Sequence, residues 1–183
     1  METVKKYKLV DGKRFETGTY ERDSEWEPGD DSYIVGINNW IVNSEGKILV
    51  QQRSLKKKNN PGKWSSTNGL VALDENPIDT VIRETQEELG ISIDPSQIML
   101  VEDNHIAGSH LVVDIFVTLA NPETITIQET EVEQIKFVSP EELLKLDIST
   151  TCSYIRELLP RLLETLEDIK QRKLKNKENI YEK

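Results

Sequence analysis

The spacing of apolar and polar residues changes along the chain, and each change marks an element. Tyr7-Lys8-Leu9-Val10 and Arg14-Phe15-Glu16 flank Asp11-Gly12-Lys13, a pattern that predicts a hairpin. Trp26-Glu27-Pro28-Gly29-Asp30-Asp31 reads as a turn. Residues 33–42 are rich in Ile and Val and predict a strand. A polar loop at 43–47 then leads into a second strand at 48–53, so the two form a hairpin. Lys56, Lys57 and Lys58 open a basic polar loop that runs to Gly62, and residues 64–72 read as extended.

A helix follows. Asn76 is a suitable N-cap, Pro77 suits the first helical position, and Asp79 complements the positive helix N-terminus. Gly90 supplies the stop. Ile78, Ile82, Thr85 and Leu89 recur at helical spacing and predict the core face, with Glu84 and Glu88 on its flank and Glu87 further round. Residues 98–101, 111–119 and 131–138 are further strands. The stretch from Glu102 to His110 reads as a loop, in which His105 and His110 flank a Gly-Ser turn. Ser139 caps a short helix that begins at Pro140. From about Thr151, a run including Tyr154, Ile155, Leu158, Leu159, Leu162 and Leu166 predicts an amphipathic helix interrupted or kinked at Pro160. A basic tail follows it. Strands mixed with a few helices predict a layered α+β or α/β domain. The expected division is an N-terminal extension at 1–32, a central domain at 33–150, and a C-terminal helix with its tail at 151–183.

Charge and composition narrow the function. The 183 residues carry a net charge of −10, which argues against a general nucleic-acid binder. No apolar run approaches the ~20 residues needed to span a bilayer. Met1 to Asp11 contains no long apolar stretch of the secretory kind. The lone Cys152 has no internal disulfide partner, which suits a reducing cytoplasm. The expectation is a cytoplasmic protein acting on a small molecule.

Three carboxylates carry the chemistry. Glu84, Glu87 and Glu88 stand at i, i+3 and i+4, on one side of the helix. Like charges so placed repel by a few tenths of a kcal/mol per pair. Their position in the C-terminal half of the helix also opposes its dipole. A cation is expected opposite them, and clustered oxygen ligands suit a hard divalent ion.

The spacing Gly69-x5-Glu75-x7-Arg83-Glu84-x-x-Glu87-Glu88-x-Gly90-Ile91 resembles the signature of the Nudix (MutT-like) hydrolase family. Eight specified positions match, and chance agreement is on the order of one in ten million. Thr85 departs from the pattern, where the family has a bulky aliphatic residue. Gln51-Gln52-Arg53, Pro61-Gly62-Lys63-Trp64 and the Ser139-Pro140-Glu141-Glu142-Leu143 helix extend the resemblance over about residues 33–147. It implies a mixed β-sheet sandwiched between helices. The activity it implies is Mg2+-dependent hydrolysis, with Mn2+ as an alternative ion, of a nucleoside diphosphate linked to another moiety. By position, Glu84 and Glu88 would be the main metal ligands and Glu87 a ligand or orienter. Gly69 would offer a backbone carbonyl, and Arg83 would hold the carboxylates, with Glu87 and Glu75 as partners. The general base stays open among Glu84, Glu88, Glu129, Glu131 and Glu133.

Other residues carry weaker readings. Asp114 lies in an apolar strand and needs a partner, either the substrate or a structural hydrogen bond. Trp40 and Trp64 read as packing residues, although Trp64 could also stack on a base. Isopentenyl-diphosphate isomerases share the Nudix architecture and the Gln51-to-Trp64 lead-in. They use a cysteine just before the box, where residues 64–75 have none; Cys152 lies far along the chain, in the C-terminal helix that the pattern predicts. That disfavours the isomerase. A non-catalytic nucleotide-binding module is the other rival, although such relatives tend to lose the acidic pattern. The terminal hairpin and helix offer extra surfaces for a homodimer.

Overall fold

The structure is a computed structural model and describes residues 3–152 and 157–169. β1 (Thr3–Val10) and β2 (Lys13–Glu21) form an antiparallel hairpin. Asp11 and Gly12 at its tip have φ of 50° and 73°, the paired positive values of a turn whose twist matches the flanking strands.

A seven-stranded mixed sheet is the centre of the fold. Its strands are β3 (Ile34–Val42), β4 (Ile48–Arg53), β5 (Trp64–Ser65), β6 (Thr67–Leu70), β7 (Ile98–Gly108), β8 (Leu111–Leu119) and β9 (Val132–Val138). β3 runs parallel to β8 over nine residue pairs and antiparallel to β6. β4 pairs with β5 and β9, and meets β3 only at Val42 and Ile48. The sheet therefore divides into two wings that share the β3–β4 corner.

Helices cover both faces of β3, which explains why nearly every residue of that strand is buried. On one face Val35 and Ile37 pack with Val71, Val112, Phe116 and Val81 of α1 (Pro77–Leu89). On the other, Trp40 and Val42 join Val117 and Val138, with Leu143 of α2 (Pro140–Lys145) and Leu158, Leu159, Leu162 and Leu166 of α3 (described over 157–169). The fold is a mixed sheet between helices, as expected.

The α1 boundaries match the capping chemistry. Asn76 Oδ1 accepts from the backbone N–H of Ile78 at 2.9 Å and of Asp79 at 3.1 Å, and Gly90 closes the helix at φ 66°. Four expectations are corrected. The buried face of α1 is Thr80, Val81, Thr85, Glu88 and Leu89, with Ile78 40% exposed. The helix is thus rotated so that a glutamate, rather than two isoleucines, faces inward. Residues 102–108 are strand rather than loop, bulged against β8. Helical structure continues through Pro160 over the described residues 157–169, without the interruption. Cys152 is not helical. Tyr154, Ile155 and the basic tail lie outside the described residues.

The N-terminal hairpin is tied to the sheet. Tyr7 and Tyr33 exchange backbone hydrogen bonds of 2.8 Å, and Lys6 Nζ lies 2.7 Å from Asp30. Arg14 grips Asp114 with two guanidinium hydrogen bonds and donates from Nε to Asn104 Oδ1 at 2.7 Å. The partner that Asp114 needs is therefore a side chain of the hairpin. Trp26 stacks between Tyr20 and His110, with centroid distances of 4.4 and 4.0 Å. The apolar face of α3 is likewise turned into its own chain. Among the described residues no helix is long and apolar enough to cross a membrane.

Candidate active site

A cleft of about 630 Å³ opens where the two wings diverge. Glu84, Glu87 and Glu88 of α1 line one part of it, together with Arg83, Gly69 of β6, and Glu131 just before β9. The box is thus gathered by three elements: β6 carries Gly69, the following turn carries Glu75, and α1 carries the rest. Of the open candidates for the base, Glu84, Glu88 and Glu131 line the cleft, and Glu129 and Glu133 do not.

Arg83 is the hub. Its Nε donates to Glu75 Oε1 at 2.7 Å and its Nη2 to Glu75 Oε2 at 3.1 Å. Its Nη1 donates to Glu84 at 2.8 Å and to Glu87 at 3.2 Å, and Nη2 lies 3.4 Å from the Leu70 carbonyl. These hydrogen bonds, led by the pair with Glu75, hold the guanidinium charged and push its pKa up further. The same contacts lower the pKa of Glu75, which Thr80 Oγ1 also serves with a 2.8 Å hydrogen bond.

Glu88 is in a different state. It is 5% exposed, and Gln51 Nε2 donates to it at 2.6 Å. Burial pushes its pKa up to about 8; the Gln51 hydrogen bond opposes this, and the charges of Glu84 and Glu131 add to it. A buried acid with a raised pKa favours folding while it is neutral. Stability should be full below pH 4.5 and fall as pH rises through about 8, by on the order of 5 kcal/mol at most. Urea unfolding in chelator between pH 5 and 9 checks this; stability that stays flat, beside a Glu88→Gln control, counts against it.

Gly69 is required by close approach. A Cβ built there would overlap the carboxylate of Glu84. Thr85, the irregular position, also has a reason. It is fully buried, and its Oγ1 accepts from Asn39 Nδ2 at 3.4 Å while Asn39 Oδ1 accepts from Thr118 at 2.8 Å. An aliphatic side chain there would leave a buried amide N–H without this acceptor.

As placed, Glu75, Glu84 and Glu87 converge on Arg83, whereas Glu88 turns to Gln51. Among the described residues no three His, Cys, Asp or Glu side chains already surround one point. The donors present are nonetheless all oxygens, and one of them is buried beside two other acids, a set that fits a hard divalent cation.

Several residues beside the box were missed in the sequence. Gln51 ends an otherwise apolar run, Ile48-Leu49-Val50, and Asn38 interrupts the apolar run of β3. A polar residue in a doubly covered strand is the signal that could have found both. Asn38 lines the cleft and donates from Nδ2 to Asn68 at 2.9 Å, and its own Oδ1 is buried without a partner among the described residues. Lys57 reaches the cleft and pairs with Glu131 at 2.6 Å. Trp64 packs against the core, with Lys136 Nζ 4.1 Å from its ring. His105 lines the cleft, whereas His110 belongs to the aromatic stack.

Cys152 requires a correction as well. It lies beside the box lead-in, its backbone N–H bonded to the Trp64 carbonyl at 3.0 Å, and it lines the same cleft as the carboxylates. Distance along the chain concealed that proximity.

The NUDIX domain family matches residues 32–161. The chain belongs to that family. The Escherichia coli isopentenyl-diphosphate Delta-isomerase is 34% identical over 90 residues, 49% of each chain, so the match spans about half the length of that curated relative. A MutT NUDIX hydrolase from Burkholderia pseudomallei superposes with a TM-score of 0.56 at 25% identity, over 70% of this chain and 96% of the other. DR0079 from Deinococcus radiodurans gives a TM-score of 0.68 at 20% identity, over 85% and 98%. Nudix hydrolases generally use divalent metals and act on small-molecule diphosphates.

Proposed function

We propose that this Nudix protein is a Mg2+-dependent hydrolase that cleaves the diphosphate linkage of a small molecule. One observation carries the reading: Glu84, Glu87 and Glu88 line the same cleft as Gly69 and Glu131, with Arg83 bracing Glu84 and Glu87. Glu84 and Glu88 would be the principal Mg2+ or Mn2+ ligands, with Glu87 and the Gly69 carbonyl completing the set. A divalent ion there would neutralise phosphate oxygens and acidify a water. The chain's own part is positional. Arg83 and Glu75 fix the rotamer of Glu84, Gln51 orients Glu88, and a cleft carboxylate, Glu131 among them, accepts the proton of the attacking water.

Metal removal tests the reading. Chelator is expected to abolish phosphate release from a panel of diphosphates, and Mg2+ or Mn2+ to restore it. Activity that survives chelation would reject the proposal. Gly69→Ala displaces the Glu84 carboxylate and is expected to lower turnover by about 100-fold. Steady-state kinetics on the folded variant measure it, and a loss under threefold would remove Gly69 from the site.

One observation favours a second reading. Cys152 lines the cleft, and curated relatives of this chain include an isopentenyl-diphosphate isomerase. Proton NMR of isopentenyl diphosphate separates the two: double-bond migration without phosphate release would mark an isomerase. The terminal hairpin and C-terminal helix are proposed as flanking units of the 33–150 catalytic domain.

A further inference from the structure

Glu131 is held from three directions. Its backbone N–H donates to the Gln128 carbonyl at 2.8 Å, and the Gln128 N–H donates to the Glu88 carbonyl at 3.0 Å. Two hydrogen bonds therefore tie the backbone of Glu131 to that of a proposed metal ligand. Thr126 N–H pins the same loop to the Leu89 carbonyl at 2.9 Å. From the other side, Ser54 N–H donates to the Glu131 carbonyl at 2.8 Å, and Ser54 Oγ to the Glu129 carbonyl at 3.1 Å. The side chain has its own anchor. Lys57 Nζ donates to Glu131 Oε1 at 2.6 Å, and Lys57 N–H donates to the Ser54 carbonyl at 3.1 Å.

The main-chain bonds already fix this loop, and an ion pair with both side chains near 30% exposure adds little stability. What Lys57 does add is one orientation of one carboxylate. It occupies Oε1 and leaves Oε2 without a hydrogen bond among the described residues. The neighbouring acids are differently engaged. Glu84 pairs with Arg83, and Glu88 is buried against Gln51. Both are proposed ligands, and a carboxylate that holds a cation must stay deprotonated. Glu131 is close enough for its charge to push up the Glu88 pKa, whereas Glu129 and Glu133 lie off the cleft.

We infer that Glu131 is the catalytic base and that Lys57 is the positioning residue that aims its Oε2 at the attacking water. The inference rests on the hydrolase reading above; it names which carboxylate takes the proton and what orients it. In the reaction a water oxygen bonds to phosphorus and the bridging P–O bond breaks, its electron pair staying with the bridging oxygen. One proton of the water passes to Glu131 Oε2 and then to solvent; the other stays on the product phosphate.

The test uses the full chain with Mg2+ and whichever of ADP-ribose, UDP-glucose, NADH, diadenosine tetraphosphate and dGTP it cleaves fastest. Glu131→Gln is expected to lower kcat about 100-fold with KM little changed. Lys57→Met is expected to lower kcat about tenfold, Lys57→Arg to restore most of it, and Lys57→Gln to replace the first variant should that one not fold. Once Glu131 is Gln, Lys57→Met should cost nothing further, because its effect passes through that carboxylate. Two readouts need no turnover. Hydrogen exchange over residues 126–132 should be unchanged in Lys57→Met, and calorimetric Mn2+ affinity unchanged in Glu131→Gln. Near-normal kcat in Glu131→Gln, or Mn2+ affinity lost with it, overturns the base assignment. A rise in KM alone in Lys57→Met, additive losses in the double variant, or faster exchange in the loop overturns the positioning role. Each of these leaves the hydrolase reading standing. A wild-type chain that cleaves no probe overturns that reading and this inference together.

Discussion

Glu84→Gln is expected to lower Mg2+-dependent turnover by about 1000-fold, or roughly 4 kcal/mol in the barrier, while the protein stays folded. The amide keeps the shape of the carboxylate and removes the charge that a divalent ion requires. Glu84 is the sharpest position because two neighbours specify it. Gly69 leaves the space for its carboxylate, and Arg83 Nη1 holds it at 2.8 Å. Folding should be little affected, because Arg83 keeps its two hydrogen bonds to Glu75 and its contact with Glu87. Circular dichroism establishes the fold, and phosphate-release kinetics establish the loss. Full activity in both Glu84→Gln and Glu88→Gln would sink the site assignment.

Arg14→Ala is expected to destabilise the protein by about 3–5 kcal/mol, although it touches none of the box residues. Asp114 is 4% exposed, and its carboxylate is held by Arg14 and by the backbone N–H of Asn104 at 3.0 Å. Removing the guanidinium leaves a buried carboxylate with one donor, and desolvation of that charge is the main cost. The reverse change, Asp114→Ala, should cost less, because the Arg14 side chain is 20% exposed and can turn to water. Arg14 also donates to Asn104, whose Nδ2 reaches the Gly12 carbonyl at 3.0 Å, so the hairpin tip should loosen with it. Urea unfolding measures the first effect, and hydrogen exchange over residues 3–21 the second. A change under about 1 kcal/mol would show that the ion pair contributes little.

The limits of one-dimensional reading can be seen residue by residue. The α1 ends were legible because Asn76, Pro77 and Gly90 act on their own turn of backbone. Its inward face was not. Periodicity selects the most apolar stripe, Ile78 and Ile82, whereas the fold turns Glu88 inward onto Gln51 and leaves Ile78 half in water. A helix that presents a charged cluster to a cleft breaks the amphipathic rule at that site. The same limit applies to Cys152, which a sequence separation of 88 residues hides from Trp64 and a single backbone hydrogen bond brings alongside it.

The sequence by itself determined the family, the layered class and the ends of α1, and it nominated the acids proposed here to bind a cation. Each depends on local spacing, capping or turn chemistry. Only the tertiary structure decided that Arg14 is the partner of Asp114 and that Glu131 rather than Glu129 or Glu133 lines the cleft. Those contacts join residues distant in the chain. Their energies depend on burial and on which charges share a low-dielectric space, and both arise only once the sheet has formed.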